Sequence, residues 1–274
     1  VSDVPLGVFL SGGMDSATIV AMISQFTTHP VKTFTIGYGP KDSSYNEVSK
    51  ARLIAKHFHT DHREFIVNPD LLDILPKLVW HCDEPFADSS AVPTFLVSRE
   101  AKAHITVALS GIGGDEAFAG YPRYLGAYLS QSYEKLPLAV RTALLQAARN
   151  LPESTKSRNI AGWAKRFCRG GVLPPVERYI DWVSVLRNEE MRRMYVPSFL
   201  HRLTESAERF HREYAGMVRE KDFLETIFYL DVKTYLADDL LMMADKMSMA
   251  NSLEVRVPLC DTALLEFAAS IPFE

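Results

Sequence analysis

Six residues near the start of the chain, Ser11-Gly12-Gly13-Met14-Asp15-Ser16, have the types and spacing to hold a polyphosphate. The two glycines let the backbone turn freely and come close to a ligand. A helix-like pattern begins right after Asp15-Ser16, and the amides at a helix start carry a partial positive charge that suits phosphate or pyrophosphate. Asp15 alone would repel phosphate, so its expected task is to hold a Mg²⁺ that bridges phosphate oxygens. No lysine follows the glycines, which separates this run from the Gly-x-x-x-x-Gly-Lys-Ser/Thr phosphate loop. A second run, Leu109-Ser110-Gly111-Ile112-Gly113-Gly114-Asp115-Glu116, repeats the logic a whole sheet further along the chain. Asp115 facing Asp15 would complete a two-carboxylate Mg²⁺ site. A third stretch, Tyr235 to Pro258, interleaves Asp238, Asp239, Asp245 and Lys246 with methionines and leucines. Glu254 and Arg256 flank Val255 there, so an extended backbone would put both on one side, available to a site.

These loops need strands and helices to aim them, and the first 120 residues supply an alternating pattern. Strands are expected at 4–10, 31–37, 63–67 and 105–109, from short apolar runs. Helices are expected at 17–26, 48–58, about 69–81 and about 90–103; in the second, Val48, Ala51, Ile54, Ala55 and Phe58 share a face. Strand and helix in alternation imply an α/β fold, a parallel twisted sheet with helices on both faces. Such sheets bind ligands beyond the carboxyl ends of their strands, where both Ser-Gly runs fall. From about Tyr124 onward almost no strand signal is visible, and helical spacing recurs at 138–148, 199–214 and 223–236. The chain thus reads as a nucleotide-binding α/β core over 1–123 with a mainly helical part over 124–274 packed against the sheet.

Composition narrows the function classes. A formal net charge of -4 gives no basic face for nucleic acid, and no apolar run approaches the roughly 18 residues of a membrane span. Cys82, Cys168 and Cys260 are far apart in no paired-spacing motif and read as reduced, mostly buried thiols of a cytoplasmic protein. Val1 stands only ten residues before the first loop, and Glu274 follows an apolar helical stretch. A piece of a longer protein is the expectation.

Ser-Gly-Gly-x-Asp-Ser resembles the pyrophosphate loop (PP-loop) of ATP pyrophosphatases, whose fold is adenine nucleotide alpha-hydrolase-like and which release pyrophosphate and transfer AMP. The three motifs in order, together with Asp83-Glu84-Pro85-Phe86-Ala87-Asp88-Ser89-Ser90, Gly120-Tyr121 and Ser252-Leu253-Glu254-Val255-Arg256-Val257-Pro258, resemble the synthetase domain of glutamine-hydrolysing asparagine synthetases over nearly the whole chain. That resemblance implies that Leu10, Ser11, Gly12, Gly13, Asp15 and Ser16 hold ATP, with Asp15 and Asp115 on Mg²⁺. It places Ile36 against the adenine, Ser110 and Gly111 near the nucleotide, and Glu47 near the phosphates. Lys246 and Glu254 fall around an acyl-adenylate, formed from a small carboxylate (aspartate by family default) before ammonia displaces AMP. It further implies an N-terminal glutaminase domain ahead of this chain, a lysine-bearing segment after it, and a homodimer as the family expectation.

One position departs from the family pattern. Asparagine synthetases carry glutamate where this chain has Ile112; a β-lactam-forming relative has tyrosine there and polysaccharide-cluster relatives have aspartate. Isoleucine neither accepts a proton nor hydrogen-bonds an amine. Either Glu116 or Glu254 takes the proton, or the acceptor differs, for example a surface-polysaccharide sugar acid. Loss of activity in a nucleotide-binding homologue is the remaining alternative. His57-Phe58-His59-Thr60-Asp61-His62 also spells a zinc-hydrolase motif, but its place between helix and strand favours a polar turn. Of the remaining features, the methionines at 242, 243, 247 and 249 and Trp163 and Trp182 are expected in cores, and Arg192-Arg193 on a solvated face.

Overall fold

Side-chain alternation settles which face each strand shows. In β1 (Leu6–Phe9), Val8 and the following Leu10 enter one apolar cluster with Ile19, Val20, Ala51 and Ala55, while Phe9 packs with the opposite one. The computed structural model describes residues 2–39, 46–67, 71–84, 86–152, 159–202, 208–218 and 222–272. After β1 come α1 (Met14–Ser24), β2 (Lys32–Tyr38), α2 (Val48–His57), β3 (Asp61–Val67), α3 (Leu71–Cys82), α4 (Ala91–Lys102), β4 (Val107–Leu109) and α5 (Gly114–Phe118). The expected alternation is present, each element displaced by a few residues at most; 68–70, where the third helix was to begin, lie outside the described residues.

The chain then forms α6 (Pro122–Tyr133), α7 (Leu138–Arg149), α8 (Ile160–Gly170), α9 (Pro175–Val183), α10 (Asn188–Met194), α11 (Pro197–Leu200), α12 (Arg209–Met217) and α13 (Phe223–Asp231). Of the helix expected over 199–214, α11 ends at Leu200 and α12 begins at Arg209, and 203–207 lie outside the described residues. The helix expected over 223–236 tightens no further than Asp231, where π-helical winding takes over through Leu241. Last come α14 (Met242–Met249), β5 (Glu254–Arg256), a 3₁₀ turn and α15 (Thr262–Ala269).

All five strands run parallel in the order β3-β2-β1-β4-β5. Helices α1 and α2 supply the cluster on one face; Val97 and Ala101 of α4 join Phe34, Ala108 and Leu253 on the other. Ile74, Leu78, Phe95, Leu96, Met243 and Met247 extend that second core across α3, α4 and α14.

The described residues form two compact units, 2–118 with 235–272, and 119–234. The segment after 235 belongs with the sheet unit, not with the helical one. Met243, Met247 and Leu253 explain why, each being buried in the sheet unit's cores. The extended backbone considered at 254–256 is β5, whose pairing with β4 three residues are too few to reveal by alternation. Met249, in contrast, is exposed, and so is half of Trp163; Trp182 does pack against the helical unit's core, and Arg192 and Arg193 are solvated. All three cysteines are free, with Cys82 buried and the others half-buried. Among the described residues no helix is long and apolar enough to cross a membrane.

The helical unit is centred on Tyr124, Ala127, Tyr179, Ile180, Ile227 and Leu230. Within it Asp231 is fully buried and accepts hydrogen bonds from Arg123 Nε at 2.9 Å and from Tyr179 Oη at 2.6 Å. Burial and the Asp231 charge together hold the Tyr179 phenol protonated, well above its ordinary value. Removing the carboxylate leaves a desolvated guanidinium without its counter-charge, which destabilises by about 3–5 kcal/mol. Asp231→Ala should therefore lower stability by about that much, and Tyr179→Phe by only about 1–2 kcal/mol. Urea unfolding of the two variants checks this; equal losses would show that the ion pair is not the dominant member.

Candidate functional site

Strand order decides where the two glycine loops meet. The chain steps outward from β1 to β2 and β3, then returns to place β4 on the other flank of β1, with Leu6 opposite Val107 and Val8 opposite Leu109. The order reverses between β1 and β4, and in open parallel sheets the crevice at such a reversal is where ligands bind. The loops, distant in sequence, leave neighbouring strands.

The first loop is closed by its own serines. Ser16 Oγ accepts from the Ser11 amide at 3.1 Å and lies 2.9 Å from Ser11 Oγ, which in turn accepts from the Gly13 amide at 3.1 Å. Ser16 is buried, so its hydroxyl shapes the loop, whereas Ser11 is exposed to a ligand. Gly13 takes the N-cap position with extended backbone and no side chain, which leaves the first amides of α1 uncapped. Glu47, at the start of α2, reaches the loop and accepts from the Gly12 amide at 3.3 Å.

The second loop sits directly on the first. A Cβ at Gly111 would lie 2.8 Å from the Ser16 amide nitrogen, and one at Gly114 would lie 2.4 Å from the Asp15 carboxyl carbon. These glycines make room for the other loop, in addition to any ligand. Gly113 has φ of +98°, a left-handed conformation that glycine adopts without strain, and the space beside it is filled by Cys260 Sγ. That thiol also donates to the Ile112 carbonyl at 3.5 Å, and burial followed by the nearby Glu116 charge pushes it up to about 11.

Seating Gly114 on Asp15 brings Asp115 into range. Burial first, and the Asp115 charge second, raise the Asp15 carboxyl above its ordinary value. Two hard oxygen donors held together against their mutual repulsion fit a Mg²⁺ ion, which would relieve it. Among the described residues no group of three or more His, Cys, Asp or Glu side chains could hold a metal. His62 of the zinc-like run instead has Nδ1 2.9 Å from Thr33 Oγ1 and Nε2 3.4 Å from Glu64.

The remaining expected residues divide. Ile36 is half-buried, and the register of β1 on β2 (Phe9 opposite Phe34) carries it alongside the first loop. Leu10 is buried, its amide bonded to the Phe34 carbonyl and its carbonyl to Thr35 Oγ1, so both its polar groups already serve the sheet. Ser110 is also buried, with its amide on the Arg256 carbonyl. Glu116 is buried on the Cys260 side, a poor position for receiving a proton from an incoming amine. Glu254 does lie on the same side as Arg256, but as its ion-pair partner at 2.6 Å on the exposed edge strand, opposite Val107 at the far end of β4.

Lys246 belongs to a second constellation. Its ammonium donates to the Cys82 carbonyl at 3.0 Å and to Asp83 at 3.2 Å. Elsewhere in the chain's first unit, Asp239 is pushed up to about 6, by burial first and the Asp88 charge second. Asp239 Oδ1 and Ser90 Oγ are buried without a hydrogen-bond partner in the described residues. The motif containing Asp88 and the Asp238-Asp239 pair were visible in sequence, but no spacing rule indicates that they meet.

The family model described as asparagine synthase matches residues 1–274. The chain is 34% identical to asparagine synthetase [glutamine-hydrolyzing] 1 of Bacillus subtilis, covering 100% of this chain and 41% of that protein. It is 32% identical to a putative asparagine synthetase [glutamine-hydrolyzing] of Mycobacterium bovis, covering 99% and 40%. It is also 25% identical to the amidase chyE of Penicillium rubens, covering 99% and 43%. The chain thus spans about two fifths of the length of these relatives.

The Asp239 pair has a consequence for stability. Its folded-state value near 6 lies above the ordinary 3.8, so the native state is fully favoured below about pH 4 and loses that advantage as pH rises through about 6. Asp239→Asn should therefore melt higher than the parent at pH 7.5, with the difference vanishing near pH 4. Thermal unfolding at both pH values checks this; a difference independent of pH would reject the raised carboxyl.

Proposed function

The chain belongs to the asparagine synthase family, and from that premise we propose that it is the ATP-dependent, amide-forming part of a glutamine-hydrolysing asparagine synthetase. The observation that supports this most is the seating of Gly114 on the Asp15 carboxyl, with Asp115 beside it, at the reversal point of the sheet. A substrate carboxylate oxygen attacks the α-phosphorus of ATP, the bond to the β-phosphate bridge breaks, and pyrophosphate leaves. Ammonia then attacks the acyl carbon of the resulting acyl-adenylate, AMP departs, and a proton is released as the amide forms.

The uncapped amides of α1 and the Ser11 hydroxyl bind the pyrophosphate portion, and Ile36 gives the adenine an apolar wall. Asp15 and Asp115 would hold Mg²⁺, which supplies charge neutralisation on the departing pyrophosphate. The Lys246 ammonium, held at Asp83, offers a cation for the amino-acid carboxylate, whose amino group would need an acid in turn. Aspartate is the acceptor and glutamine-derived ammonia the amine. An ATP-consuming enzyme with three free thiols fits the cytoplasm. A second reading, the same chemistry on another small carboxylate, is favoured by Ile112, which offers the amination step no proton acceptor.

In the full-length protein supplied with Mg-ATP, aspartate and ammonia, AMP and pyrophosphate should appear in step with asparagine. Asp15→Ala should abolish pyrophosphate release while circular dichroism stays unchanged. Undiminished turnover in that variant would overturn the assignment, and nucleotide turnover independent of aspartate would move the acceptor to another carboxylate.

A further inference from the structure

Resting on the adenylating reading above, we infer that Lys50 is a pyrophosphate-binding residue of this chain, laid over Gly12 to place its ammonium beside the phosphates. The space that a side chain at position 12 would take is occupied by the stem of Lys50: an ideal Cβ there would lie 2.7 Å from Lys50 Cβ and 2.9 Å from its Cδ. The ammonium is two bonds beyond Cδ, within reach of whatever the loop amides hold. This placement is built by α2, whose first turn is fastened to the loop twice, by the Lys50 stem and by Glu47 on the Gly12 amide. The Glu47 carboxylate also marks the Gly12 amide as a seat for an anionic oxygen.

Charge balance calls for such a cation. The loops present Asp15 and Asp115, the start of α2 adds Glu47, and one Mg²⁺ leaves the tetra-anionic triphosphate of ATP still negative. The other cations of this unit near the motifs are engaged: Lys246 with Asp83 and the Cys82 carbonyl, Arg256 with Glu254, and Arg52 with both oxygens of Glu64. Lys50 is exposed, and among the described residues its ammonium makes no ion pair or hydrogen bond. A lysine that lay on the surface without function would be expected to extend away from a glycine loop rather than cover it.

The test uses the full-length protein, with Mg-ATP as substrate and inorganic pyrophosphate as a product inhibitor. Lys50→Gln should raise the KM for ATP and the inhibition constant of pyrophosphate together, by roughly tenfold or more, the range for losing a charge-assisted hydrogen bond. The KM for the carboxylate acceptor should not move, and Lys50→Arg should restore most of the loss. A structural role would alter all substrates alike and would not respond to the retained charge. If Asp15→Ala is inactive but Lys50→Gln keeps both constants within about twofold, the inference is overturned while the adenylating reading stands. Full turnover in Asp15→Ala would overturn the reading on which the inference rests.

Discussion

The contact between the second glycine loop and the first turn of α1 is the constraint on which the site depends. It holds a carboxylate against a backbone at a separation that no β-carbon could occupy. Such an approach requires the two loops to leave adjacent parallel strands at the same height, which the pairing of Val8 with Leu109 provides. Adjacent parallel strands cannot be joined by a tight turn, so the chain must cross over the sheet, and it uses the excursion to build β2 and β3. Helices on both faces then follow, since a parallel sheet left bare would expose an apolar face. The sheet order, the helices and the glycines are thus answers to one positional demand.

The electrostatics run against the usual direction of stability. Asp15 and Asp115 are held close by packing, not by attraction, and the Asp88–Asp239 pair repeats the pattern. Both raised carboxyls owe most of their shift to burial and the rest to a like charge. Surface carboxylates with freedom to separate would do so. A frame that prevents separation stores an unfavourable interaction that a cation relieves, and perturbed groups gathered in a cleft are a recognised mark of functional sites.

Much of this was legible in the sequence where the signal is local. The glycine loops, the strand–helix alternation and the apolar face of α2 follow from periodicity and turn chemistry, which depend on neighbours only. What was not legible depends on pairing across long stretches. Three residues of β5 carry no period, so its joining β4 and drawing the segment after 235 to the sheet could not be read. The same holds for Ser16 and Leu10, whose polar groups are taken by the protein itself, and for Glu116, whose burial behind the loop no motif announces. Lys50 was hidden for the opposite reason: helical periodicity assigns it to the solvent side, and only the tertiary fold brings Gly12 under it.

Under the proposed two-step reaction, Ile112 bears on the second step and not on the first. The backbone of its loop is fixed from outside, by the left-handed Gly113, by Cys260 filling the space beside it and holding the Ile112 carbonyl, and by Gly114 on Asp15. None of these contacts uses the side chain at 112. Replacing an acidic residue there removes a proton acceptor from the amination step yet leaves the positions of Asp15 and Asp115 untouched. On the reaction proposed above, adenylation would depend on that pair and on the α1 amides, whereas amination would depend on what faces the acyl carbon. The two half-reactions of the proposed mechanism would then be structurally separable, with the acceptor set at position 112 independently of the pyrophosphate end.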